Sequence, residues 1–108
     1  MRPAVYTTGV WTPRAGEEDA FVEAWAEFAS WASGMPGAGT LRLARNLGDP
    51  QRFLSVVAWE SSDTVRTLKG APEFRERMGR VQKHVDTFAS AELEVLTAFN
   101  AGRQLRDA

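Results

Sequence analysis

The sequence lacks cysteine and contains a single histidine, His84, among its 108 residues. Without cysteine the chain has no disulfide, no thiolate nucleophile and no thiolate ligand for a metal. A single histidine also argues against a metal centre that is built from several imidazoles. We therefore predict that the protein holds no metal ion.

An excess of charge of one sign is also lacking. The 13 basic and 14 acidic residues give a formal net charge of −1, which offers no electrostatic reason to expect a nucleic-acid partner. No apolar run approaches the roughly 20 residues that a membrane-spanning helix needs, and the N-terminus lacks the basic-then-apolar order of a signal peptide. We therefore expect a cytoplasmic protein without a membrane partner.

The composition that is present, with 44% apolar and 25% charged residues, is typical of a globular protein. A chain of this length suffices for one domain with a single core. We predict that this domain covers residues 1–100 and that residues 101–108 form a frayed tail.

A central strand is predicted over residues 53–60. Read at a period of two, neither face of this stretch is polar before Glu60. A strand with one face in water would alternate apolar and polar residues, so we expect this strand to lie between two layers of protein. Ser61 or Ser62 is suited to cap a helix that follows directly.

A strand and a helix are predicted ahead of this central strand. The strand covers residues 3–11 and contains Gly9, which is either a tolerated glycine or the mark of a bulge or of a close approach by a ligand. Apolar residues at helical spacing over residues 21–32, behind an acidic start, predict the helix. A second strand follows over residues 40–46, and the turn signal at residues 47–51 indicates an antiparallel hairpin into the central strand.

Two helices and a last strand are predicted after the central strand. The first helix covers residues 62–69, and Pro72 is suited to the first position of the second. Apolar residues in that second helix recur at intervals of 4, 3 and 4 and end at Val85. The last strand is predicted over residues 91–100, where apolar and polar residues alternate.

This order of elements predicts an α+β, ferredoxin-like β-α-β-β-α-β fold with an antiparallel sheet. Helices cover only one face of such a sheet. The other face still carries apolar side chains from the central and last strands, so it needs a second layer. A second copy of the chain is the simplest such layer, and we predict a homodimer.

Several short motifs can be compared with known families. They are Thr12-Pro-Arg-Ala-Gly16, Pro36-Gly37, Leu43-Ala-Arg45, Asp49-Pro50, Phe53, Pro72-Glu-Phe74 and, above all, Trp59-Glu60-Ser61. Together they resemble the antibiotic biosynthesis monooxygenase family, whose members are dimeric α+β barrels, over about residues 3–100. The family includes cofactor-free oxygenases, haem-degrading enzymes and many proteins of unknown role.

The oxygenase branch implies a reaction that needs little from the protein and no cofactor. A phenolic, polyketide-like substrate loses a proton, its anion reduces O₂, and the peroxide that forms by recombination loses water to give a quinone. The protein supplies an apolar slot, a hydrogen bond to the phenolate and exclusion of water. The implied partners are a small aromatic substrate, molecular oxygen and a second copy of the chain.

The resemblance also implies candidate site residues. Trp59 matches the family tryptophan, which offers an indole N–H and a flat stacking face, and Ser55 stands where quinone-forming members have an asparagine. Arg77 lies near an arginine of that subgroup and is either a phenolate ligand or a solvated side chain. The candidate substrate-binding residues are Tyr6, Trp25, Phe28, Val65, Phe74 and Met78. Trp25 and Phe28 are alternatively core residues, and Val65 replaces a tyrosine of that subgroup.

His84 is the last candidate catalytic residue. Because imidazole changes protonation state near neutral pH, His84 could serve as a general base; the alternative is a surface residue or a helix-capping residue. The haem-degrading branch fits less well, since its tryptophan and iron-ligating histidine positions hold Leu68 and Met78 and the first strand has no asparagine. Two other classes stay open: a non-catalytic binder of an aromatic metabolite and a structural dimerisation module.

Overall fold

The computed structural model describes residues 4–105. The first three residues of the predicted domain, among them Pro3 of the predicted first strand, and the last three residues of the predicted tail lie outside the described residues. Within them the chain forms, in order, β1 (Val5–Pro13), α1 (Glu18–Ala32), β2 (Ala38–Arg45), β3 (Phe53–Trp59), α2 (Ser62–Gly70), α3 (Pro72–Gln82), β4 (Val85–Glu94), β5 (Ala98–Asn100) and β6 (Arg103–Leu105).

Strand β1 lies inside an antiparallel four-stranded sheet of order β2-β3-β1-β4. It pairs with β3 on one side, where Val5 lies opposite Trp59, and with β4 on the other, where Val5 lies opposite Glu94. All three helices contribute to one hydrophobic core with the inner face of this sheet. The predicted α+β, ferredoxin-like fold is therefore confirmed.

Helix α1 forms where the sequence carries an apolar stripe. Phe21, Trp25, Phe28 and Ala32 are its buried residues, and their spacing of 4, 3 and 4 places them on one side of the helix. Acidic residues in the first turn interact favourably with the helix dipole. No helix within residues 4–105 is long and apolar enough to cross a bilayer.

Helix α2 begins with the side-chain cap that the sequence predicts. Ser61 has an extended backbone, and its Oγ accepts a hydrogen bond from the backbone N–H of Thr64 at 3.3 Å. Val65 and Leu68 are the buried residues of this helix. Pro72 then starts α3 at the position where its missing N–H costs least.

The inner face of the sheet is the floor of the core. In β3 the side chains at a period of two, Phe53, Ser55, Val57 and Trp59, are all buried. The helices cover this face, so these side chains are removed from water by the chain itself.

The outer face of the sheet is open in the single chain. Val10 of β1, Leu54 of β3 and Leu93 of β4 are 40%, 43% and 45% exposed, and the pairing register places all three on this face. The predicted second layer over β3 is thus not supplied by the described residues. A dimeric barrel, which would supply that layer, remains a prediction.

The last strand begins earlier than the sequence predicts. Strand β4 covers Val85–Glu94 rather than residues 91–100. Helix α3 ends at Gln82, and Val85 pairs with Pro13 in the sheet. The helical periodicity misleads here because Val85 lies four residues after Val81 and so continues the helical stripe as well as it starts a strand.

The predicted frayed tail is partly a second, two-stranded sheet. Strands β5 and β6 pair from Ala98 opposite Leu105 to Asn100 opposite Arg103. The two residues between them, Ala101 and Gly102, have φ values of 55° and 79°, as a two-residue type I′ hairpin turn requires. Residues 91–100 therefore supply parts of two different sheets rather than one continuous strand.

Candidate functional site

A cavity of about 440 Å³ lies between the inner face of the sheet and the helices. This volume falls within the range of small-molecule binding sites, which are mostly apolar and carry a few placed polar groups. The apolar side chains that line it come from every helix and from three strands: Trp11, Trp25, Phe28, Val57, Trp59, Val65, Leu68, Phe74, Met78 and Phe88.

The exposed lining residues locate the mouth of this cavity. Phe88, Ser90 and Glu92 on strand β4 and Lys69 near the end of α2 all line the cavity and are exposed to solvent. The opening therefore lies between the edge strand β4 and the end of α2. Glu92 Oε2 accepts a hydrogen bond from Ser62 Oγ at 2.8 Å, which joins α2 to β4 at one side of this mouth.

On the sheet side of the cavity, Ser55 is held by an indole. Trp11 Nε1 donates to Ser55 Oγ at 2.9 Å, and Ser55 is only 5% exposed. Gly9 makes this contact possible, because a methyl group on Gly9 would lie 2.6 Å from Trp11 Nε1 and 2.7 Å from Ser55 Oγ. The Trp11 ring is itself fixed, since it stacks on Phe88 with ring centroids 4.0 Å apart.

A second indole and hydroxyl form a similar pair beside the first. Trp59 Nε1 donates to Thr7 Oγ1 at 2.8 Å, and both residues line the cavity. Trp59 is 1% exposed and is among the largest fully buried side chains. The indole N–H of Trp59 is therefore already engaged with the protein, while its ring remains part of the cavity wall.

The sequence profile of the family described as antibiotic biosynthesis monooxygenase matches residues 4–80. The chain belongs to the antibiotic biosynthesis monooxygenase family. The profile covers β1 through most of α3, which includes both indole and hydroxyl pairs. Among functionally curated proteins, none has a sequence that matches the chain significantly.

Solved structures similar to this family member share its fold at low sequence identity. SnoaB from Streptomyces nogalater, a cofactor-independent oxygenase, superposes with a TM-score of 0.80 at 17% identity and covers 89% of this chain and 96% of its own. A candidate antibiotic biosynthesis monooxygenase from Deinococcus radiodurans gives 0.79 at 16% identity, with coverage of 89% and 96%. A conserved protein from Methanosarcina mazei Go1 gives 0.78 at 10% identity, with coverage of 86% and 93%.

The structure brings most of the candidate site residues together at the cavity. These are the residues that the resemblance to the monooxygenase family implies. The side chains that line the cavity are Ser55, Trp59, Trp25, Phe28, Val65, Phe74 and Met78. Their roles in catalysis or substrate binding remain predictions, but their common location does not depend on those roles.

Tyr6 is placed elsewhere. It lies opposite Ala58 of β3 and Leu93 of β4, so its side chain belongs to the outer face of the sheet. It is not among the residues that line the cavity. The expected position of Tyr6 in the pocket is thus corrected by the strand register.

Arg77 and His84 also lie off the cavity wall. The Arg77 guanidinium lies over the ring of Trp31, 5.4 Å from its centroid, and so joins α3 to α1. His84 Nδ1 lies 2.9 Å from Glu17 Oε1 in a partly buried contact between the end of α3 and the start of α1. Both contacts connect helices, which corrects the expected location of these two residues at the reacting centre.

The sequence interpretation missed the polar residues that β1 and β4 contribute. Thr7, Ser90 and Glu92 all line the cavity. The alternation of β1 was a usable signal, because Thr7 shares a face with Trp11, whereas Glu92 was hidden by the misplaced start of β4.

Among the described residues, no group of three or more His, Cys, Asp or Glu side chains is placed to hold a metal ion.

Proposed function

We propose that this family member is a cofactor-independent monooxygenase that oxidises a small aromatic, polyketide-like phenol to a quinone. The observation that carries the proposal is the apolar cavity with Trp59 and Ser55 on its wall, in a chain of the antibiotic biosynthesis monooxygenase family. The shared fold with SnoaB, a cofactor-independent oxygenase, supports it.

The proposed reaction is balanced by the substrate and O₂ alone. A ring carbon that carries two hydrogens beside a phenol, as in an anthrone, loses a proton, and the resulting anion gives one electron to O₂. The radical pair combines with formation of a carbon–oxygen bond and, after protonation, yields a hydroperoxide. Loss of the second C–H proton and cleavage of the O–O bond release water and leave a carbonyl, so one O₂ is consumed per quinone formed.

The cavity supplies surroundings suited to these steps. Aromatic side chains such as Trp25, Phe28 and Trp59 offer flat faces for a planar ring system and keep water from the reactive anion. Glu92 is the carboxylate among the lining residues, and its bond to Ser62 fixes one oxygen at the mouth. We assign Glu92 as the acceptor of the substrate proton, because a positioned carboxylate is a common general base.

Oxygen uptake by purified, chelator-treated protein with a panel of anthrones and naphthols tests the proposal. We expect uptake that requires folded protein and falls about tenfold in Trp59→Phe, the equivalent of ~1.4 kcal/mol in the barrier, because the variant loses the bond to Thr7. Trp31→Phe is the matched control, since Trp31 packs on Phe28 and Arg77 and does not line the cavity.

The same panel separates the other two classes of function. Quenching of tryptophan fluorescence without oxygen uptake would show a binding protein for aromatic metabolites. The absence of both quenching and oxygen uptake would favour a structural dimerisation module. Equal loss of uptake in Trp59→Phe and Trp31→Phe would show a general effect on stability and would contradict the role of this cavity.

We also propose that the chain acts as a homodimer in which a second copy covers the outer face of the sheet. Support comes from the 40–45% exposure of Val10, Leu54 and Leu93 on this face, since such apolar patches favour association. Light scattering should give twice the 11.9 kDa monomer mass. Leu54→Lys should shift the mass toward the monomer, whereas Leu47→Lys, at a 95% exposed turn position, should not. A monomeric wild type would reject this assembly.

A further inference from the structure

Two of the hydroxyls that line the cavity, those of Ser55 and Thr7, have a defined hydrogen-bond direction. An indole N–H only donates, so Ser55 Oγ must accept from Trp11 and Thr7 Oγ1 must accept from Trp59. A serine or threonine hydroxyl has one hydrogen besides its acceptor lone pairs. Each hydroxyl therefore keeps its own hydrogen for a different acceptor.

Acceptors for these hydrogens are scarce in the surrounding protein. Within residues 4–105, Trp11 is the only hydrogen-bond partner of the Ser55 side chain, and Trp59 is the only partner of the Thr7 side chain. Both hydroxyls lie on strands that have neighbours on both sides, so the nearby backbone carbonyls are engaged in the sheet. Since both residues line the cavity, the free hydrogens are available to a ligand inside it.

The strand register sets how far apart these donors are. Thr7 lies opposite Val57 and Gly9 lies opposite Ser55, so Thr7 and Ser55 are diagonal neighbours on the inner face. Such neighbours are about 7–8 Å apart, and side chains of a sheet stand roughly perpendicular to it. At this spacing the two donors are suited to two oxygens on one face of a ligand, each reached by its own hydrogen bond of about 2.7–2.8 Å.

We infer that Thr7 and Ser55 form a pair of hydroxyl donors, each for its own oxygen on a polyhydroxylated aromatic ligand. The inference rests on the proposed function and specifies its substrate class. The indole N–H groups of Trp11 and Trp59 have a positioning role in this arrangement, because they act on the ligand through the hydroxyls. Burial of both indoles, at 2% and 1% exposure, holds the donors in place before the ligand arrives.

A dye that does not turn over tests this inference independently of oxygenase activity. The probe is 1,2-dihydroxyanthraquinone, which is already a quinone and changes colour on losing a phenolic proton. Donors that face the phenolate favour the ionised form. The pKa of the dye should therefore be lower when bound to wild-type protein, and Thr7→Val and Ser55→Ala should each raise it by about one unit, a tenfold weaker preference for the anion.

Two further variants keep the result interpretable. Thr7→Ser keeps the hydroxyl and loses only the methyl group, so the bound dye should titrate as it does on wild-type protein. A purely structural role of the Thr7 side chain would not explain that result. Thr12→Val removes a hydroxyl from the same strand but from the opposite face, away from the cavity, and should leave the titration unchanged. If Thr7→Val does not fold, Ser55→Ala carries the comparison.

The outcomes distinguish this inference from the proposed function. Binding of the dye with the same pKa in wild type, Thr7→Val and Ser55→Ala would overturn the donor pair, even if the protein consumes O₂. A shifted pKa without oxygen uptake on anthrones would support the donor pair and reject the oxygenase. Failure of wild-type protein to bind the dye, together with 1-naphthol and 4-nitrophenol, would overturn both.

Discussion

Replacing Gly9 by alanine is a small change that disrupts the contact between Trp11 and Ser55 in the cavity wall. The added methyl group would lie 2.6 Å from Trp11 Nε1, 2.7 Å from Ser55 Oγ and 2.9 Å from Trp11 Cε2. All three distances are shorter than van der Waals contact allows, so either the indole or the serine must move. The hydrogen bond from Trp11 to Ser55 is then lost in a buried environment.

The size of the effect follows from three contributions. Overpacking a well-filled core costs about 1–3 kcal/mol, and a buried donor without a partner costs about 1–3 kcal/mol more. Alanine recovers about 0.5–1 kcal/mol because it restricts the unfolded chain more than glycine does. We expect a net loss of about 3 kcal/mol for Gly9→Ala, which lowers the melting temperature by ~12–24 °C for a domain of this size.

Urea unfolding at one fixed protein concentration measures this loss, since a dimer has a concentration-dependent midpoint. Gly79→Ala is the matched control. Gly79 lies within α3, and apart from its chain neighbours and the backbone of the helix itself, none of the described residues places an atom within 4 Å of its Cβ position. This variant should be about 0.4–1 kcal/mol more stable than wild type. A change from glycine to alanine should thus lower the free energy of unfolding at Gly9 and raise it at Gly79.

A double-mutant cycle locates the cause of the loss. Trp11→Phe removes the Nε1 atom, so adding Gly9→Ala to that background should cost at least ~1 kcal/mol less than in wild type. A Gly9→Ala variant within 0.5 kcal/mol of wild type, or a cycle with no coupling, would refute the claim that Gly9 exists to admit the indole.

Two smaller effects should accompany these. Ser61→Ala should cost about 0.5–1 kcal/mol in urea unfolding through loss of the α2 cap; an unchanged midpoint would show that the 3.3 Å contact contributes nothing. Ala101→Asn should slow amide hydrogen exchange of Arg103 by several-fold in NMR, because asparagine tolerates the φ of 55° better than alanine. The control Ala98→Asn, on the strand itself, should leave this rate unchanged. Equal exchange rates in both variants would count against the turn assignment.

Sequence periodicity predicted the elements that present one clear apolar pattern. The stripe of α1 and the apolar strand β3 are found within a few residues of their predicted positions. The start of β4 was not predictable in this way, because Val85 satisfies a helical and a strand pattern at once. Val85 instead pairs with Pro13 on a strand distant in sequence, and no local pattern indicates that pairing.

The site was predicted where one side of an element is plainly apolar and missed where both sides look alike. Strand β1 carries an aromatic residue on each face, Tyr6 on one and Trp11 on the other, so alternation alone does not tell which face meets the helices. The pairing with β3 decides it. Arg77 and His84 are polar residues whose partners, Trp31 and Glu17, lie far away in sequence.

The position of β1 between β3 and β4 also bears on synthesis of the protein. The bonds from Trp11 to Ser55 and from Trp59 to Thr7 join residues 44 and 52 apart, so they become available once β3 has left the ribosome. Until β4 follows, β1 is an edge strand with one unpaired side, and one wall of the cavity is missing. Exposed edges of this kind pair readily with other chains. We therefore expect a chain truncated at Gln82, which ends before β4, to aggregate rather than to fold.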